Sequence, residues 1–483
     1  MRGLAQQAVI LSVSRIANYG LMIISPVILV RFLTVTDFGL YREFQLYASL
    51  LATAAAFSVS DSLLFFIPLH PASTWRVVRE TTILLAVISL SVIGAFVVVD
   101  LLVPGGLIGP YLWTLSVYVL LFVNIDWWEN FWLATHRPLL VFAYTAARLI
   151  ARMVVVVCVA VATHSVSAII GSLLALETLR FTGSLIAWRL ADRSRLEPPI
   201  EHFRREQLRF CVPFGLATLL ALLSRNLGSL VIVKFIGVAA LAQFAIGTYG
   251  EPIILAFRNS ITAVVLPELV RLGGSSNLEA LRLWQRATVI NCLLLVPSAA
   301  IVVWYAAPLV LEAFGAAYRP AIPVLQWYAV VIVRACIDFS PLLRAINRTR
   351  PFVTSGLLAG LLNAVALAVL LPATGIVGAA IALGLANVAD ALYLGFVVTR
   401  CYRCGLRGLL PWRALAKVGA CAATAAVVAF GATFAWRASF LGAVCGSILY
   451  GAVFIALVLA ARLEEAITLL QRFRPLVPSL FRR

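Results

Sequence analysis

Charged residues are scarce in this sequence: only 12% of its 483 residues are Asp, Glu, Lys or Arg, whereas 63% are hydrophobic. A soluble globular domain carries about 25% charged and about 45–50% apolar residues. A water-soluble core cannot bury this excess, and no long polar segment interrupts the apolar runs, so the composition excludes a separate soluble domain. Runs of membrane-spanning length recur along the whole chain. The sequence therefore predicts an all-α, polytopic membrane protein of about 14 transmembrane helices.

The predicted spans follow the apolar runs, each boundary being loose by several residues. We place them near 8–30, 45–68, 81–103, 111–134, 141–162, 166–190, 210–236, 241–268, 287–306, 321–346, 352–371, 375–399, 413–435 and 438–461.

Acidic residues are also few, with 20 Asp and Glu against 38 Lys and Arg. Such an excess can indicate nucleic-acid binding, but the basic residues concentrate on alternate connections between the spans. If the N-terminus is cytoplasmic, the opposite connections hold only Arg31, Arg42, Lys234, Arg319 and Arg437. This is the positive-inside pattern. We therefore expect cytoplasmic N- and C-termini, contacts with membrane lipids at the basic loops, and no nucleic-acid partner.

Histidine and cysteine are sparse as well, with 4 and 8 residues. Most cysteines fall inside predicted spans, where a thiol acts as a small apolar side chain. Cys401 and Cys404 form a CxxC pair with no second cysteine or histidine pair nearby, so we interpret them as reduced loop thiols. The G-x-x-x-x-G-K-[ST] motif is missing, which excludes a fused ATPase. We expect no cofactor, no metal site and no catalytic residue.

The chain contains a weak internal repeat. Residues 30–41 align with residues 233–244, and Ile125-Asp126-Trp127 resembles Ile337-Asp338-Phe339. Because six spans separate the copies, both cross the membrane in the same direction, as in a parallel repeat with a pseudo-two-fold axis along the membrane normal. The predicted domains are two six-helix lobes (1–190 and 210–400), a cytoplasmic linker (191–209), an additional helix pair (413–461) and a basic cytoplasmic tail (462–483).

Several charged residues lie within the predicted spans. A charge at the bilayer centre costs at least about 2.5–3.5 kcal/mol unless it has a partner or water. Helical spacing or similar depth predicts three ion pairs that lock helices together. These are Arg334 with Asp338, Glu177 with Arg180, and Asp126 with Arg148.

A second polar group lies on the first, second, seventh and eighth spans. An arginine at the membrane midplane suits a phosphate ligand, because its guanidinium presents forked donors. We interpret the group as a substrate-binding cavity. Its members are Arg15, Asn18, Asp61, Arg225, Glu251 and Arg258. The alternative is that Arg15 pairs with Asp61, and Arg258 with Glu251, only to stabilise the bundle.

Four short motifs occur in order along the chain: RFLTVTDFGLY (31–41), FGAAY (314–318), NRTRP (347–351) and LPATGIVGAA (371–380). As a set they resemble motifs of the Wzx-type polysaccharide flippases of the multidrug/oligosaccharidyl-lipid/polysaccharide exporter superfamily. Two positions depart from the family pattern. Val35 replaces a common proline, and Gly228 stands where the seventh helix often carries an acid.

The resemblance implies two six-helix lobes around a central cationic cavity that opens alternately to either face. It also implies a flippase, not an enzyme, that moves an undecaprenyl-pyrophosphate-linked oligosaccharide from the inner to the outer leaflet of a bacterial cytoplasmic (inner) membrane. O-antigen or exopolysaccharide biosynthesis is the expected pathway, with a polysaccharide polymerase and chain-length machinery as expected partners.

Three alternatives stay open. A lipid II flippase also has fourteen helices. A drug/cation antiporter of the same superfamily is less favoured, because the predicted cavity is basic rather than acidic. A membrane glycosyltransferase or polymerase is least favoured, because the predicted outer loops are short.

Overall fold

The computed structural model describes residues 24–102, 111–135, 137–191, 197–200, 202–273, 277–346, 348 and 350–463. Over these residues the chain is mainly α-helical and contains no β-strand. Ten of the described helices are long and apolar enough to cross a membrane, and one bent pair would make an eleventh. The predicted all-α membrane class is confirmed.

The helices are numbered here in chain order from residue 35. The first eight are α1 Val35–Ala56, α2 Leu63–Leu69, α3 Thr74–Leu102, α4 Leu112–Val123, α5 Trp127–Ala134, α6 Pro138–Thr163, α7 Val166–Ala191 and α8 Phe203–Phe235. The others are α9 Val238–Gly247, α10 Glu251–Gly273, α11 Asn277–Phe314, α12 Ala321–Ala335, α13 Ser340–Ala345, α14 Arg350–Thr374, α15 Ile376–Tyr402, α16 Leu406–Leu409, α17 Trp412–Ala432 and α18 Phe440–Ala460.

Several helix ends follow from local sequence. The Thr34 hydroxyl oxygen accepts a hydrogen bond from the backbone N–H of Asp37 at 3.1 Å and caps α1. The Ser439 hydroxyl caps α18 in the same way through Gly442 N at 3.0 Å. Gly375, with φ +61°, makes the sharp turn between α14 and α15, a backbone conformation that favours glycine.

The difference between fourteen predicted spans and the observed number has a simple origin. The predicted span 8–30 lies mostly outside the described residues. The predicted spans 111–134 and 241–268 are each divided into two helices by a short break. The remaining predicted spans correspond to the long described helices, the bent pair included.

Four breaks interrupt predicted spans within the described residues, at 57–59, 124–126, 248–250 and 336–339. An acidic residue lies in each break or within two residues of it: Asp61, Asp126, Glu251 and Asp338. Non-helical backbone at membrane depth is tolerated only where it is buried in protein or lines water. Each break therefore coincides with an acidic side chain at membrane depth.

By contacts the chain divides into two compact units, Met1–Ala242 and Gln243–Arg483. The boundary lies beyond the predicted linker because α8 packs against α1 and α3 in the first unit. The linker itself is held to the start of α3. The backbone N–H of Arg76 donates to the Glu197 carboxylate at 2.7 Å, and the Ser73 hydroxyl donates to the Pro198 carbonyl at 3.1 Å.

The additional helix pair, α17 and α18, packs against α11 within the second unit. The Tyr305 hydroxyl lies 2.6 Å from the Thr433 hydroxyl, and both are buried. Trp304 stacks on Phe430 with ring centroids 5.0 Å apart. Gly446 permits this approach, since a Cβ there would lie 1.8 Å from the Tyr305 hydroxyl oxygen. The pair is thus an integral wall of the second unit.

Candidate functional site

The second unit contains an apolar groove with a volume of about 1290 Å³. Four helices line it, namely α11, α12, α15 and α17, together with the segment 406–410. Residues at both ends of α17, Trp412 and Phe430, belong to the lining. The 21-residue helix α17 is about 30 Å long at 1.5 Å per residue. Lining residues therefore lie near both ends of a helix long enough to span the membrane.

The groove wall is apolar and combines aliphatic with aromatic side chains. Among the described lining residues, Gln326 and Arg334 are the only polar side chains besides the tryptophans. The indole N–H of Trp412 donates to the Leu406 carbonyl at 3.2 Å, and the Gln326 amide donates to the Val303 carbonyl at 3.1 Å. The aromatic rings are Trp304, Trp327, Phe339, Phe396, Trp412, Phe430 and Phe434. Such a surface accepts a long hydrocarbon and offers little to a polar ligand.

Arg334 does not pair with Asp338, and that predicted ion pair is wrong. The guanidinium of Arg334 instead binds the Asp390 carboxylate on α15 and donates to the Asn387 carbonyl at 3.0 Å. The reason is that α12 ends at Ala335, so Asp338 falls in the break and loses the helical i,i+4 relationship. The Ser355 hydroxyl donates to the other oxygen of Asp390 and completes a neutral cluster.

The Asp338 carboxylate makes two other contacts. Its Oδ1 accepts a hydrogen bond from the backbone N–H of Ser340, the first residue of α13, at 2.9 Å. Its Oδ2 lies 3.8 Å from Nε of Arg258 on α10. The structure therefore brings the cavity candidate Arg258 to Asp338, a residue predicted only as a structural partner.

The first unit holds the other two predicted ion pairs, and both contacts are present. Arg148 on α6 lies 3.1 Å from Asp126 and 3.0 Å from Glu129. Arg180 binds Glu177 within α7 and donates to the Tyr144 hydroxyl at 2.7 Å. Opposite charges compensate each other at membrane depth in these clusters.

The other cavity candidates are placed as follows. Asp61 is exposed next to the break at 57–59, and its Oδ1 accepts a hydrogen bond from the Asn130 amide at 3.3 Å. Arg225 is exposed on α8, and Glu251 is the half-buried first residue of α10. Arg15 and Asn18 lie outside the described residues.

Sequence reasoning missed Asn130 and the pairing of Asp390. Asn130 is uncharged, so a search for charges passes over it, although it lies four residues after Asp126 on the same helical face. Asp390 belongs to a different helix from Arg334, and no spacing rule connects them.

Among the described residues, no group of three His, Cys, Asp or Glu residues is arranged to hold a metal ion. Burial raises the pKa of the Cys404 thiol, which follows the end of α15. A raised pKa disfavours the reactive thiolate.

Comparison with solved structures shows a shared fold. A structure of the lipid II flippase MurJ in an inward closed conformation has a TM-score of 0.61 at 14% identity, covering 92% of this chain and 97% of that one. An inward-facing multidrug resistance MATE family transporter of the MOP superfamily has a TM-score of 0.60 at 14% identity, covering 81% and 98%. A MOP superfamily transporter from Pyrococcus furiosus has a TM-score of 0.55 at 16% identity, covering 82% and 95%.

At these identities the likeness establishes the fold alone. A comparison with curated protein sequences finds no match. A family model described as polysaccharide biosynthesis protein matches residues 28–323, which is more than half of the chain. The chain therefore belongs to the polysaccharide biosynthesis protein family and has the fold of the MOP superfamily, as its sequence motifs predict.

Proposed function

We propose that the chain is a flippase that moves an undecaprenyl-pyrophosphate-linked oligosaccharide from the inner to the outer leaflet of a bacterial cytoplasmic membrane. The observation that carries the proposal is the apolar groove, whose lining includes residues from both ends of α17, in a member of a polysaccharide biosynthesis family. Such a substrate has a long hydrocarbon tail, a diphosphate and a sugar, and each part needs a different environment.

The groove suits the tail. Lipid tails are as apolar as leucine, so no hydrophobic driving force draws a prenyl chain out of the bilayer. Attraction must come from close packing against the walls, which is collectively large because each apolar contact adds a little dispersion energy. The exposed rings of Trp327, Phe396 and Trp412 provide surfaces for this packing. The tail then stays in a lipid-like environment while the head group crosses.

The arginine candidates suit the diphosphate. A doubly charged head group must leave water and cross a medium in which an unpaired charge is very unstable. Guanidinium groups replace its hydration with forked hydrogen bonds. Arg225 is exposed, and Arg258 lies 3.8 Å from Asp338, which is longer than a hydrogen bond. We assign Arg15, Arg225 and Arg258 to the diphosphate and expect alternating access to expose them to each face in turn.

The orientation and location belong to the same proposal. The bias of basic residues supports cytoplasmic termini and a cytoplasmic segment 191–209. Reporter fusions at 191–209 and in the C-terminal tail should give cytoplasmic signals, and a periplasmic signal at either place would contradict the orientation. A polysaccharide polymerase and its chain-length machinery are the partners that would consume the flipped substrate.

Lipid II transport is the second candidate, and one observation favours it. The MurJ structure covers 92% of this chain, whereas the two MOP transporters compared above cover 81% and 82%, so MurJ shares more of its length. The family match favours polysaccharide biosynthesis instead.

Deletion of the gene separates the two candidates. Loss of surface polysaccharide, with lipid-linked repeat units retained on the cytoplasmic side, is the expected result. Complementation with the wild-type gene should restore surface display. Cell lysis from failed peptidoglycan synthesis would assign the chain to lipid II, and normal surface polysaccharide without lysis would overturn both candidates.

A further inference from the structure

The break after α1 points Asp61 away from the protein interior. Phe57 and Ser58 both adopt left-handed backbone conformations, with φ of 41° and 57°, which side chains other than glycine rarely adopt. The two helical parts meet at an angle of 52°. Strain of this kind persists only where the surroundings enforce it.

Helix α8 holds this strained backbone in place through three residues that are spaced four apart and lie on one face of the helix. The Gln207 amide donates to the Ser62 hydroxyl at 2.7 Å, and the Cys211 thiol lies 3.7 Å from the Ser58 carbonyl oxygen. Gly215 lies against the Phe57 carbonyl so closely that a Cβ would be 2.7 Å from its oxygen. Tertiary contacts with α8 therefore fix the backbone of this break.

The result is an exposed polar patch, here called the break patch, formed by Asp61, Asp126 and Asn130. Asp61 accepts a hydrogen bond from Asn130 at 3.3 Å, and the Asp126 side chain is 41% exposed. Asp61 lies eight residues before the end of α2, and Asp126 lies eight before the end of α5. Both are thus about 12 Å from the helix end at 1.5 Å per residue. Exposed carboxylates at that depth require water rather than lipid around them.

An aromatic ring adjoins the patch. Phe65 lies one helical turn after Asp61, and its side chain is 48% exposed. Its ring stacks on Phe210 of α8, with centroids 4.9 Å apart and planes 13° apart. A flat apolar surface thus stands beside hydrogen-bonding groups.

We propose that the break patch, together with Phe65, is a carbohydrate subsite that binds the sugar part of the lipid-linked substrate. A sugar presents hydroxyl groups at its edge and C–H groups on its faces. Carboxylates accept hydrogen bonds from hydroxyls, and an amide both donates and accepts. The exposed ring offers a surface for the C–H face. This inference rests on the proposed flippase function.

Charge distinguishes this subsite from a diphosphate site. Asp61 repels phosphate, because like charges that lie close together raise the energy, whereas the charge of Asp126 is compensated by Arg148 at 3.1 Å. A metal ion is disfavoured because no group of three suitable ligands is arranged for one among the described residues. A neutral, hydroxyl-rich ligand meets no such obstacle.

Binding to two probes tests the subsite in the purified full chain. One probe is the undecaprenyl-pyrophosphate oligosaccharide isolated from the host strain, and the other is undecaprenyl pyrophosphate without sugar. Asp61→Asn, Asn130→Ala and Phe65→Leu should each weaken binding of the glycosylated probe by about tenfold or more, while binding of the sugar-free probe stays unchanged. Phe440→Leu is the matched control for Phe65→Leu, because Phe440 is also 48% exposed. Glu268→Gln serves as the control for the loss of a carboxylate.

The outcomes separate this inference from the flippase function. If the wild-type chain binds neither probe, the proposed function fails and the subsite falls with it. If wild type binds both but the three variants retain the wild-type ratio of affinities, the function stands and the subsite is overturned. An equal loss of affinity for both probes in all three variants also overturns it.

Discussion

Arg334 at the end of α12 binds Asp390 on α15, a residue 56 positions later in the chain. The two side chains are 12% and 25% exposed, so the pair is largely removed from solvent. It borders the apolar groove, where Arg334 is the one charged residue of the described lining. Pairing with Asp390 keeps the groove neutral.

Breaking this pair should destabilise the protein. Arg334→Met leaves Asp390 without its partner, and a stranded buried charge typically costs about 3–5 kcal/mol. The double variant Arg334→Met, Asp390→Leu should recover most of the loss, because an apolar pair of similar size is often neutral or stabilising. Thermal unfolding in detergent measures both, with exposed Arg413→Met as the control. A single Arg334→Met variant as stable as wild type would contradict the assignment.

The membrane-spanning helices could be predicted because the bilayer imposes a length and an apolar composition on each of them. The break at 57–59 could not be predicted, since it contains Phe57, Ser58 and Val59, with neither glycine nor proline to mark it. The left-handed backbone there depends on Gly215 and Cys211, more than 150 residues later. Tertiary contacts decided the local conformation.

The ion pairs show the same limit. Spacing predicted the Glu177–Arg180 contact because α7 is continuous across both residues. Spacing failed for Arg334 and Asp338 because α12 ends between them. The position of a helix end therefore decided whether a spacing rule applied. The assignment of Arg15, Arg225 and Arg258 to substrate stays a prediction.

Filling the groove should slow transport without unfolding the protein. Ala426→Trp places an indole among the lining residues of α17, whereas Val428→Trp adds the same ring at an exposed position outside the lining. We expect the first variant to lower the flipping rate in reconstituted vesicles by at least about tenfold, which corresponds to about 1.4 kcal/mol. The control should retain the wild-type rate. Equal rates in the two variants would remove the groove from the tail path.

The contact of the additional helix pair with α11 should tolerate no extra methyl group. Gly446→Ala places a Cβ 1.8 Å from the Tyr305 hydroxyl oxygen and displaces it from Thr433. Overpacking of this kind costs about 1–3 kcal/mol. Gly451→Ala on the same helix meets nothing within 4 Å and should be neutral or stabilise by up to about 1 kcal/mol. The measurement is the unfolding temperature of each variant, which should be lower for Gly446→Ala than for Gly451→Ala. Equal unfolding temperatures would contradict the close packing at Gly446.

The last prediction concerns the diphosphate and follows from the positions of Arg225 and Arg258. Arg258 lies 3.8 Å from Asp338, so removal of its charge leaves that carboxylate without a cation there. The suitable changes are therefore Arg225→Gln alone and Arg258→Gln combined with Asp338→Asn. Both should reduce flipping by at least about a hundredfold, since the crossing diphosphate loses charge-assisted hydrogen bonds worth about 1.5–3 kcal/mol each.

Lysine at either position should restore flipping only in part, because it keeps the charge but loses the forked donor geometry. Asp338→Asn alone is the control for the second variant and should preserve the rate. Flipping of the lipid-linked oligosaccharide in vesicles is measured beside protein abundance and unfolding temperature. Wild-type flipping in the combined Arg225→Gln, Arg258→Gln and Asp338→Asn protein, at normal abundance, would show that these guanidinium groups do not carry the diphosphate.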